Sequence, residues 1–258
     1  MTDFNSEIRA GTAVITGAGS GLGRALAVEL SSQGIHVVGF GRRGDKLDET
    51  RAMIKPEMFL PHIVDVSDFQ AVNAAFDQLE ASGLDVTILI NNAAIYDRFD
   101  FLEGSPETYM NAVNINLGGV LACSHAALRR MSATGVGRIV NVATFADLAP
   151  LPGSSAYSVS KGAARVFTRA LIADMKDRFP NIVINDWAPG ALNTQMGIAD
   201  GLDVAVAARW GAKLALWHDP AITGVTFSQD CEVLSGRSMK RRIKDLLLLK
   251  KRPVPRRL

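Results

Sequence analysis

Short apolar runs alternate along most of the chain with longer segments whose apolar residues recur at helical spacing. The apolar runs predict buried β-strands near residues 12–16, 35–40, 59–64, 86–91, 137–143, 181–187 and 222–227. The periodic segments predict helices near residues 21–33, 45–54, 68–81, 106–132, 155–178 and 203–217. Strands that are apolar along their whole length are typical of parallel sheets covered on both faces. The alternation therefore predicts an α/β fold, a doubly wound, mostly parallel, seven-stranded sheet with helices on both faces.

The composition gives no sign of a second domain. A chain of 258 residues, 48% of them hydrophobic, can bury one large core, and no linker rich in Pro, Gly or Ser interrupts it. Charge is distributed unevenly, because residues 237–258 contain ten Lys or Arg and one Asp, whereas the remainder has a net charge of −7. We therefore predict a single domain over residues 1–236 and a basic C-terminal extension over residues 237–258.

The sequence lacks the usual features of secreted, membrane-spanning and metal-binding proteins. Residues 1–11 are polar and mildly acidic, unlike a signal peptide, and no run approaches the ~18 apolar residues of a membrane span. Cys123 and Cys231 are the two cysteines, and neither lies near another Cys or a His at metal-ligand spacing. We expect a cytoplasmic protein with no metal site.

A glycine-rich segment, Thr16-Gly17-Ala18-Gly19-Ser20-Gly21-Leu22-Gly23, follows the first predicted strand and opens the first predicted helix. A turn of this kind lets backbone N–H groups approach a pyrophosphate, and the N-terminus of the helix supplies partial positive charge. The spacing is T-G-x-x-x-G-x-G, which differs from the G-x-G-x-x-G fingerprint. Taken alone, the segment would be explained by a purely structural turn. Together with the motifs below, it predicts a dinucleotide-binding turn.

Tyr157 and Lys161 lie four residues apart in a predicted helix and therefore share one face of it. An ammonium beside a phenol stabilises the phenolate, so we expect Lys161 to lower the pKa of Tyr157 below the ~10 of a free phenol. Such a phenol can act as a general acid or base at a carbonyl or an alcohol.

Together, the glycine-rich turn and the Tyr157-x-x-x-Lys161 pair about 140 residues later closely resemble the short-chain dehydrogenase/reductase family. The resemblance covers roughly residues 10–227 and implies a Rossmann-like fold that binds a nicotinamide dinucleotide. It also implies a catalytic group formed by Asn116, Thr144, Tyr157 and Lys161. Thr144 stands where the family has serine, thirteen residues before Tyr157, and keeps a hydroxyl that can donate to the substrate oxygen.

The resemblance further implies which residues contact the cofactor. They are Gly17, Ser20, Gly21, Leu22 and Gly23 in the glycine-rich turn, Asp65 and Val66 after the third predicted strand, Asn92 and Ala93 after the fourth, Tyr157 and Lys161, and Pro189, Gly190 and Thr194 after the sixth. In relatives, the segment that corresponds to Pro189–Thr194 orients the nicotinamide carboxamide.

The end of the second predicted strand indicates which dinucleotide is bound. An acidic residue there would accept hydrogen bonds from the adenosine ribose and would repel a 2′-phosphate. Gly41 occupies that place, and Arg42 follows it. Because a guanidinium matches phosphate geometry, we predict NADP(H) rather than NAD(H).

We expect an NADP(H)-dependent oxidoreductase that interconverts a ketone and a secondary alcohol, acting as a reductase on a small molecule. The alternative is a cofactor-binding regulator or scaffold with weak catalysis, which Thr144 favours and the intact Tyr157, Lys161 and Asn116 oppose. Nucleic-acid binding is not expected, because the basic tail lacks interleaved aromatic residues and the body is acidic. Relatives pair two long helices across a two-fold axis, so we expect a homotetramer or dimer.

The basic extension leaves two interpretations open. Residues 238–252 place Met, Ile and Leu side chains near one side of a predicted helix, with Lys and Arg around them. Such a helix suits weak binding to an anionic membrane or an acidic partner, or it docks its leucines on the protein itself. Pro253 and Pro255 are expected to end the helix and to leave the last residues flexible.

Overall fold

A computed structural model describes residues 4–234 and 254–258. The strands in these ranges are β1 (Thr12–Thr16), β2 (His36–Gly41), β3 (Phe59–Ile63), β4 (Val86–Asn91), β5 (Val136–Val142), β6 (Asn181–Ala188), β7 (Thr226–Ser228) and β8 (Cys231–Glu232). The α-helices are α1 (Phe4–Ala10), α2 (Gly21–Ser32), α3 (Gly44–Arg51), α4 (Phe69–Ala81), α5 (Pro106–Val113), α6 (Gly119–Thr134), α7 (Ser155–Met175) and α8 (Val204–Leu216). A π-helical segment, Asn114–Gly118, joins α5 to α6.

The described strands form one sheet in the order β3-β2-β1-β4-β5-β6-β7-β8. Strands β1 to β7 pair in parallel, and the strand order reverses between β1 and β4. In doubly wound sheets, ligands bind beyond the carboxyl ends of the strands at this reversal. The predicted α/β fold is confirmed. The predicted count of seven strands is wrong by one, because β8 pairs antiparallel with β7.

Apolar side chains pack against both faces of the sheet and fix its layers. On one face, Ile8 of α1, Leu26 of α2 and Leu214 of α8 are wholly buried. On the other face, Phe76 of α4 and Cys123 of α6 are wholly buried, and α7 packs beside α5 and the π-helical segment. Helices therefore cover both faces, as the apolar strands require.

Arg138 of β5 fastens the last turn of α8 to the sheet. Its side chain is wholly buried, and burial lowers its pKa to about 9. Its Nε and Nη2 atoms donate to the Leu214 carbonyl at 3.2 and 3.0 Å. Its Nη1 atom donates to the carbonyls of Ile139 and Val183 at 2.9 and 3.0 Å. The guanidinium thus donates hydrogen bonds to three backbone carbonyls that have no access to water.

A row of polar side chains crosses the carboxyl end of the sheet and is named here the polar row. Its members Asn91, Asn141 and Asp186 are neighbours in the register of β4, β5 and β6. Asn91 donates to Asn141 at 2.8 Å and to Ser124 of α6 at 3.0 Å. Thr168 of α7 accepts from Asn141 at 2.9 Å and donates to Asp186 at 2.7 Å. The polar row therefore attaches α6 and α7 to the sheet.

Several elements differ from the sequence-based expectations. The helix predicted over residues 106–132 is divided by the π-helical segment, and α1 forms in an N-terminal stretch for which no element was predicted. The strand predicted from residue 222 begins at Thr226, after a 3₁₀ turn at Pro220–Ile222. Within the described part of the chain, no helix is long and apolar enough to cross a bilayer.

The last described residues are bound to the edge of the sheet, so the expectation that they are flexible is wrong. The Leu258 N–H donates to the Asp230 carbonyl at 2.8 Å, and the Glu232 N–H donates to the Arg256 carbonyl at 3.0 Å. Backbone pairing of this kind fixes a segment even after a proline. The amphipathic helix predicted over residues 238–252 lies outside the described residues.

Candidate active site

The glycine-rich turn connects β1 to α2 beside the reversal of strand order. Gly17 and Gly21 have φ angles of +69° and +51°, in the left-handed region that favours glycine. A Cβ at Gly23 would lie 2.2 Å from the Gly17 carbonyl oxygen, so a side chain there would push α2 away from the turn. Ser20, at the N-cap, makes no side-chain bond to the first helical turn, and Leu22 is buried in the core. This close backbone at a helix N-terminus fits the pyrophosphate of a dinucleotide.

Three residues that the sequence analysis did not single out hold this turn in place. The Thr16 hydroxyl accepts from the N–H groups of Asn92 and Ala93, each at 2.9 Å. The Thr50 hydroxyl and the Arg24 guanidinium donate to carbonyls of the turn at 2.9 and 2.6 Å. Thr16 belongs to the glycine-rich segment, so its position in the sequence could have indicated this role. Thr50 and Arg24 act through tertiary contacts, which residue spacing does not indicate.

Arg42, Asp65 and Val66 lie together at the carboxyl ends of β2 and β3. Arg42 is exposed after β2, with its Nη1 atom 3.8 Å from Asp65 Oδ2. The other Asp65 oxygen accepts from the N–H and hydroxyl of Ser67 at 2.9 and 2.7 Å. A Cβ at Gly119 would lie 2.6 Å from Val66 Cγ2, so α6 packs closely on this loop. Because the Arg42 side chain is exposed, its guanidinium is accessible to a ligand phosphate.

Tyr157 lies in the first turn of α7, where Thr144 and Tyr96 approach it. Burial raises the pKa of Tyr157, and a hydrogen bond with the Thr144 hydroxyl partly offsets this rise. The rings of Tyr96 and Tyr157 have centroids 4.4 Å apart and are tilted by 41°. Tyr96 was not predicted as a site residue, because it lies in an irregular loop after β4. A phenol with a raised pKa keeps its proton at neutral pH, as a general acid must.

Lys161 is buried one turn beyond Tyr157, and its ammonium points towards β5. Its Nζ atom donates to the Val142 carbonyl at 2.9 Å. Burial lowers its pKa to about 8, and the charge of Asp186 opposes this lowering. The contacts of the described residues include no hydrogen bond from Lys161 to Tyr157. Our expectation that Lys161 lowers the pKa of Tyr157 is therefore wrong for this structure, because the phenol is desolvated and the ammonium is bound to a backbone carbonyl.

Asn116 lies in the π-helical segment and joins two parts of the site. Its Oδ1 atom accepts from the Ile95 N–H at 2.8 Å. Its Nδ2 atom donates to the Ile95 carbonyl and to the Ser160 hydroxyl, each at 3.0 Å. Since Ser160 precedes Lys161, the Asn116 amide fixes the loop after β4 relative to α7. π-helical turns are frequent at functional sites.

The segment after β6 closes the opposite side of the site. Gly190 follows Pro189 with a φ angle of +92°, and a Cβ there would lie 3.0 Å from Gln229 Nε2. The methyl group of Thr194 is 3.3 Å from the Cβ position of Gly21, so this segment lies against the glycine-rich turn. The predicted site residues therefore meet at one edge of the sheet. Within the described ranges, no group of three or more His, Cys, Asp or Glu side chains could hold a metal ion.

A family model described as short chain dehydrogenase matches residues 11–204. The chain belongs to this family. One short-chain dehydrogenase relative, the "probable oxidoreductase EphD" of Mycobacterium tuberculosis (strain ATCC 25618 / H37Rv), is 32% identical over 190 residues, which cover 72% of this chain and 32% of EphD. Galactitol 2-dehydrogenase (L-tagatose-forming) of Cereibacter sphaeroides is 33% identical over 186 residues, which cover 71% of this chain and 72% of that protein.

Solved structures of short-chain dehydrogenases share the fold. The crystal structure of a protein assigned as a gluconate dehydrogenase, from Agrobacterium tumefaciens, superimposes with a TM-score of 0.76 at 24% identity and covers 86% of this chain and 94% of that one. This chain spans about a third of the length of EphD. This chain therefore belongs to a family whose members typically bind NAD(H) or NADP(H).

Replacing Asn116 by Ala should lower turnover by about 100-fold, because the loop after β4 and α7 would no longer be held together beside Tyr157. Asn73 is exposed on α4, so Asn73→Ala is the control and should stay within about twofold of the unmodified protein. Steady-state oxidation of NADPH with a ketone, the reaction proposed in the next subsection, measures both. Equal rates in the two variants would contradict the assignment of Asn116.

Proposed function

We propose that the protein is an oxidoreductase that uses NADP(H) to interconvert a ketone and a secondary alcohol, and that it works as a reductase. One observation carries the proposal. The Tyr157 phenol, whose pKa burial raises, lies beside the Thr144 hydroxyl and one turn of α7 before Lys161, at the ligand-binding edge of the sheet. A protonated phenol beside a second hydroxyl suits proton donation to a carbonyl oxygen.

Each catalytic residue has its own task in this reduction. The nicotinamide, when bound, supplies the hydride that the carbonyl carbon accepts. Tyr157 gives its phenolic proton to the carbonyl oxygen, and Thr144 donates a hydrogen bond that stabilises the negative charge developing there. Lys161 holds a positive charge one turn along α7 from Tyr157 and would help to bind the nicotinamide ribose. Asn116 holds the loop after β4 against α7 through its hydrogen bonds to Ile95 and Ser160.

Exposed apolar side chains in the loops after β5 and β6, at the carboxyl edge of the sheet, favour a ketone with an apolar group next to its carbonyl. Leu148 and Leu151, between β5 and α7, are 71% and 59% exposed, and Met196 and Ile198, after β6, are 46% and 55% exposed. Large apolar side chains grouped on a surface mark binding sites for apolar ligands or partners. Ketones with alkyl or aryl substituents are therefore the first substrates to assay.

Residues 1–236 form the catalytic domain in this proposal, and residues 237–258 form an extension whose described end, residues 254–258, pairs with the edge of the sheet. Arg256 and Leu258 make this contact through their backbone groups. A cytoplasmic location is part of the same proposal, since Cys123 and Cys231 are both free thiols.

The functional unit in this proposal is a homotetramer or dimer built on α5, α6 and α7. Met110 and Leu121 line a groove of about 470 Å³ between α5 and α6 and are 58% and 45% exposed. Val159 and Val166 of α7 are 53% and 55% exposed. Apolar side chains on the long helices fit a second copy of the chain.

Light scattering at micromolar concentration should give at least twice the mass of one chain, and Leu121→Lys should shift it towards the monomer. A monomer mass for the unmodified protein would refute this assembly.

Arg42→Ala should weaken NADPH binding by about tenfold or more and leave NADH binding nearly unchanged, because only NADPH has a 2′-phosphate for the guanidinium to bind. Arg43 is also exposed, so Arg43→Ala is a matched control and should change neither affinity strongly. Fluorescence titration with each nucleotide gives the dissociation constants. Equal affinities of the unmodified protein for NADPH and NADH would exclude the proposed cofactor preference.

Tyr157→Phe should abolish turnover while NADPH still binds, because the variant keeps the ring and loses the acidic proton. Thr144→Ala should lower kcat by about 100-fold, and Thr144→Ser should retain most of the rate, because serine keeps the hydroxyl. The assay follows NADPH oxidation across a panel of ketones. Full activity of Thr144→Ala would remove Thr144 from the mechanism. NADPH binding without turnover on any ketone would favour the regulator or scaffold instead.

A further inference from the structure

The polar row ends in a carboxylate that the proposed mechanism does not use. Asp186 of β6 is 6% exposed and accepts a hydrogen bond from Thr168 at 2.7 Å. Burying an ionised carboxylate destabilises a fold unless a positive charge or several donors compensate for the lost water. The cations around Asp186 therefore decide what this carboxylate does.

Lys161 and Thr168 lie on the same face of α7, because seven residues make two helical turns. Ala164 lies between them and is buried, and its methyl group leaves room between the two longer side chains. Asp186 contacts Thr168 from β6, and Lys161 donates to the carbonyl of Val142 on the neighbouring strand β5. The ammonium and the carboxylate therefore face the same space between α7 and the sheet.

Two further cations act on Asp186, and each lowers its pKa more than Lys161 does. Arg165 of α7 donates to both carboxylate oxygens of Asp147 at 2.7 and 2.6 Å. Arg169 is exposed to water, which screens its charge. Lys161 is the buried cation of the group, and the charge that opposes the lowering of its pKa is that of Asp186.

The two buried groups affect each other in the direction expected of a pair. Burial lowers the pKa of Lys161 to about 8, and the Asp186 charge opposes this. Burial raises the pKa of Asp186 to about 6, and the hydrogen bond from Thr168 and the charges of Arg165, Arg169 and Lys161 oppose this. Both side chains are therefore charged between about pH 6 and pH 8.

We propose that Asp186 is a positioning residue, whose buried carboxylate keeps the Lys161 ammonium charged and holds it between α7 and the sheet, next to Tyr157. Asp186 acts through Lys161 and not on the substrate. Its catalytic meaning rests on the proposed function, whereas the coupling of the two side chains can be measured without it.

Removing the carboxylate should make the ammonium easier to deprotonate. Asp186→Asn keeps the shape of the side chain and removes its charge, so the pKa of Lys161 should fall further and the ammonium should be lost at lower pH. In an active reductase, kcat falls as rising pH removes the proton from Lys161. In the variant this fall should begin at a lower pH than in the unmodified protein, while KM for the ketone changes little. Thr168→Val is the matched control, because it removes the hydrogen bond and leaves the carboxylate.

The decisive experiment is an NMR titration of protein labelled with ¹³C at the lysine Cε position, with Lys161→Met to assign the resonance. In the unmodified protein, the Lys161 resonance should titrate near pH 8 and respond a second time near pH 6, when Asp186 gains its proton. Asp186→Asn should lose the second response and lower the first midpoint by about one pH unit. Thr168→Val should keep both responses, with the acidic one moved upwards.

An unchanged Lys161 midpoint in Asp186→Asn would overturn the proposal, and so would a Lys161 resonance without a response near pH 6. The second of these outcomes is read in the unmodified protein, so it decides the question even if the variant does not fold. Because the titration needs no substrate, a protein that reduces no ketone refutes the proposed function and leaves this result standing.

Discussion

Burial of polar side chains at the carboxyl end of the sheet is the constraint on which the site depends. Asn91, Asn141 and Asp186 lie side by side where water is excluded, so each needs partners within the protein. Ser124 and Thr168 supply them from α6 and α7. These bonds have directions, which apolar packing lacks, and they fix how the two helices sit over the strands. The placement of the catalytic side chains on α7 follows from that register.

The main strands could be predicted because each is buried on both faces and is apolar along its length. The eighth strand could not, since Cys231–Glu232 is two residues long and is stabilised by pairing with Phe227 and Ser228 and, on its other side, with Arg257. The division of the helix over residues 106–132 was also hidden, because the apolar periodicity continues through the π-helical segment. Local sequence patterns thus predict elements whose own residues are apolar enough to be buried. They do not predict elements that depend on distant partners.

The candidate site follows the same division. Fixed spacing within one turn or one helix predicted Gly17, Gly23, Tyr157 and Lys161, and the structure brings them to one edge. The direction of the Lys161 ammonium was not predictable, because the helix fixes its Cβ and leaves four rotatable bonds to be decided by the Val142 carbonyl. A usable signal was nevertheless overlooked. An acidic residue at position 186 interrupts an apolar strand, and such a residue is rarely buried without a paired charge.

Asp186 and Lys161 reduce the stability of the fold at the pH where the proposed reaction needs both charges. Since the pKa of Asp186 is raised from 3.8 to about 6, its ionisation weakens the folded state as the pH rises through that range. Since the pKa of Lys161 is lowered from 10.5 to about 8, its protonation weakens the folded state as the pH falls through that range. Each shift corresponds to about 3 kcal/mol, and near pH 7 both penalties are present. An apolar pair of similar volume would make a more stable fold, so the chemistry at Tyr157 explains this buried pair better than stability does.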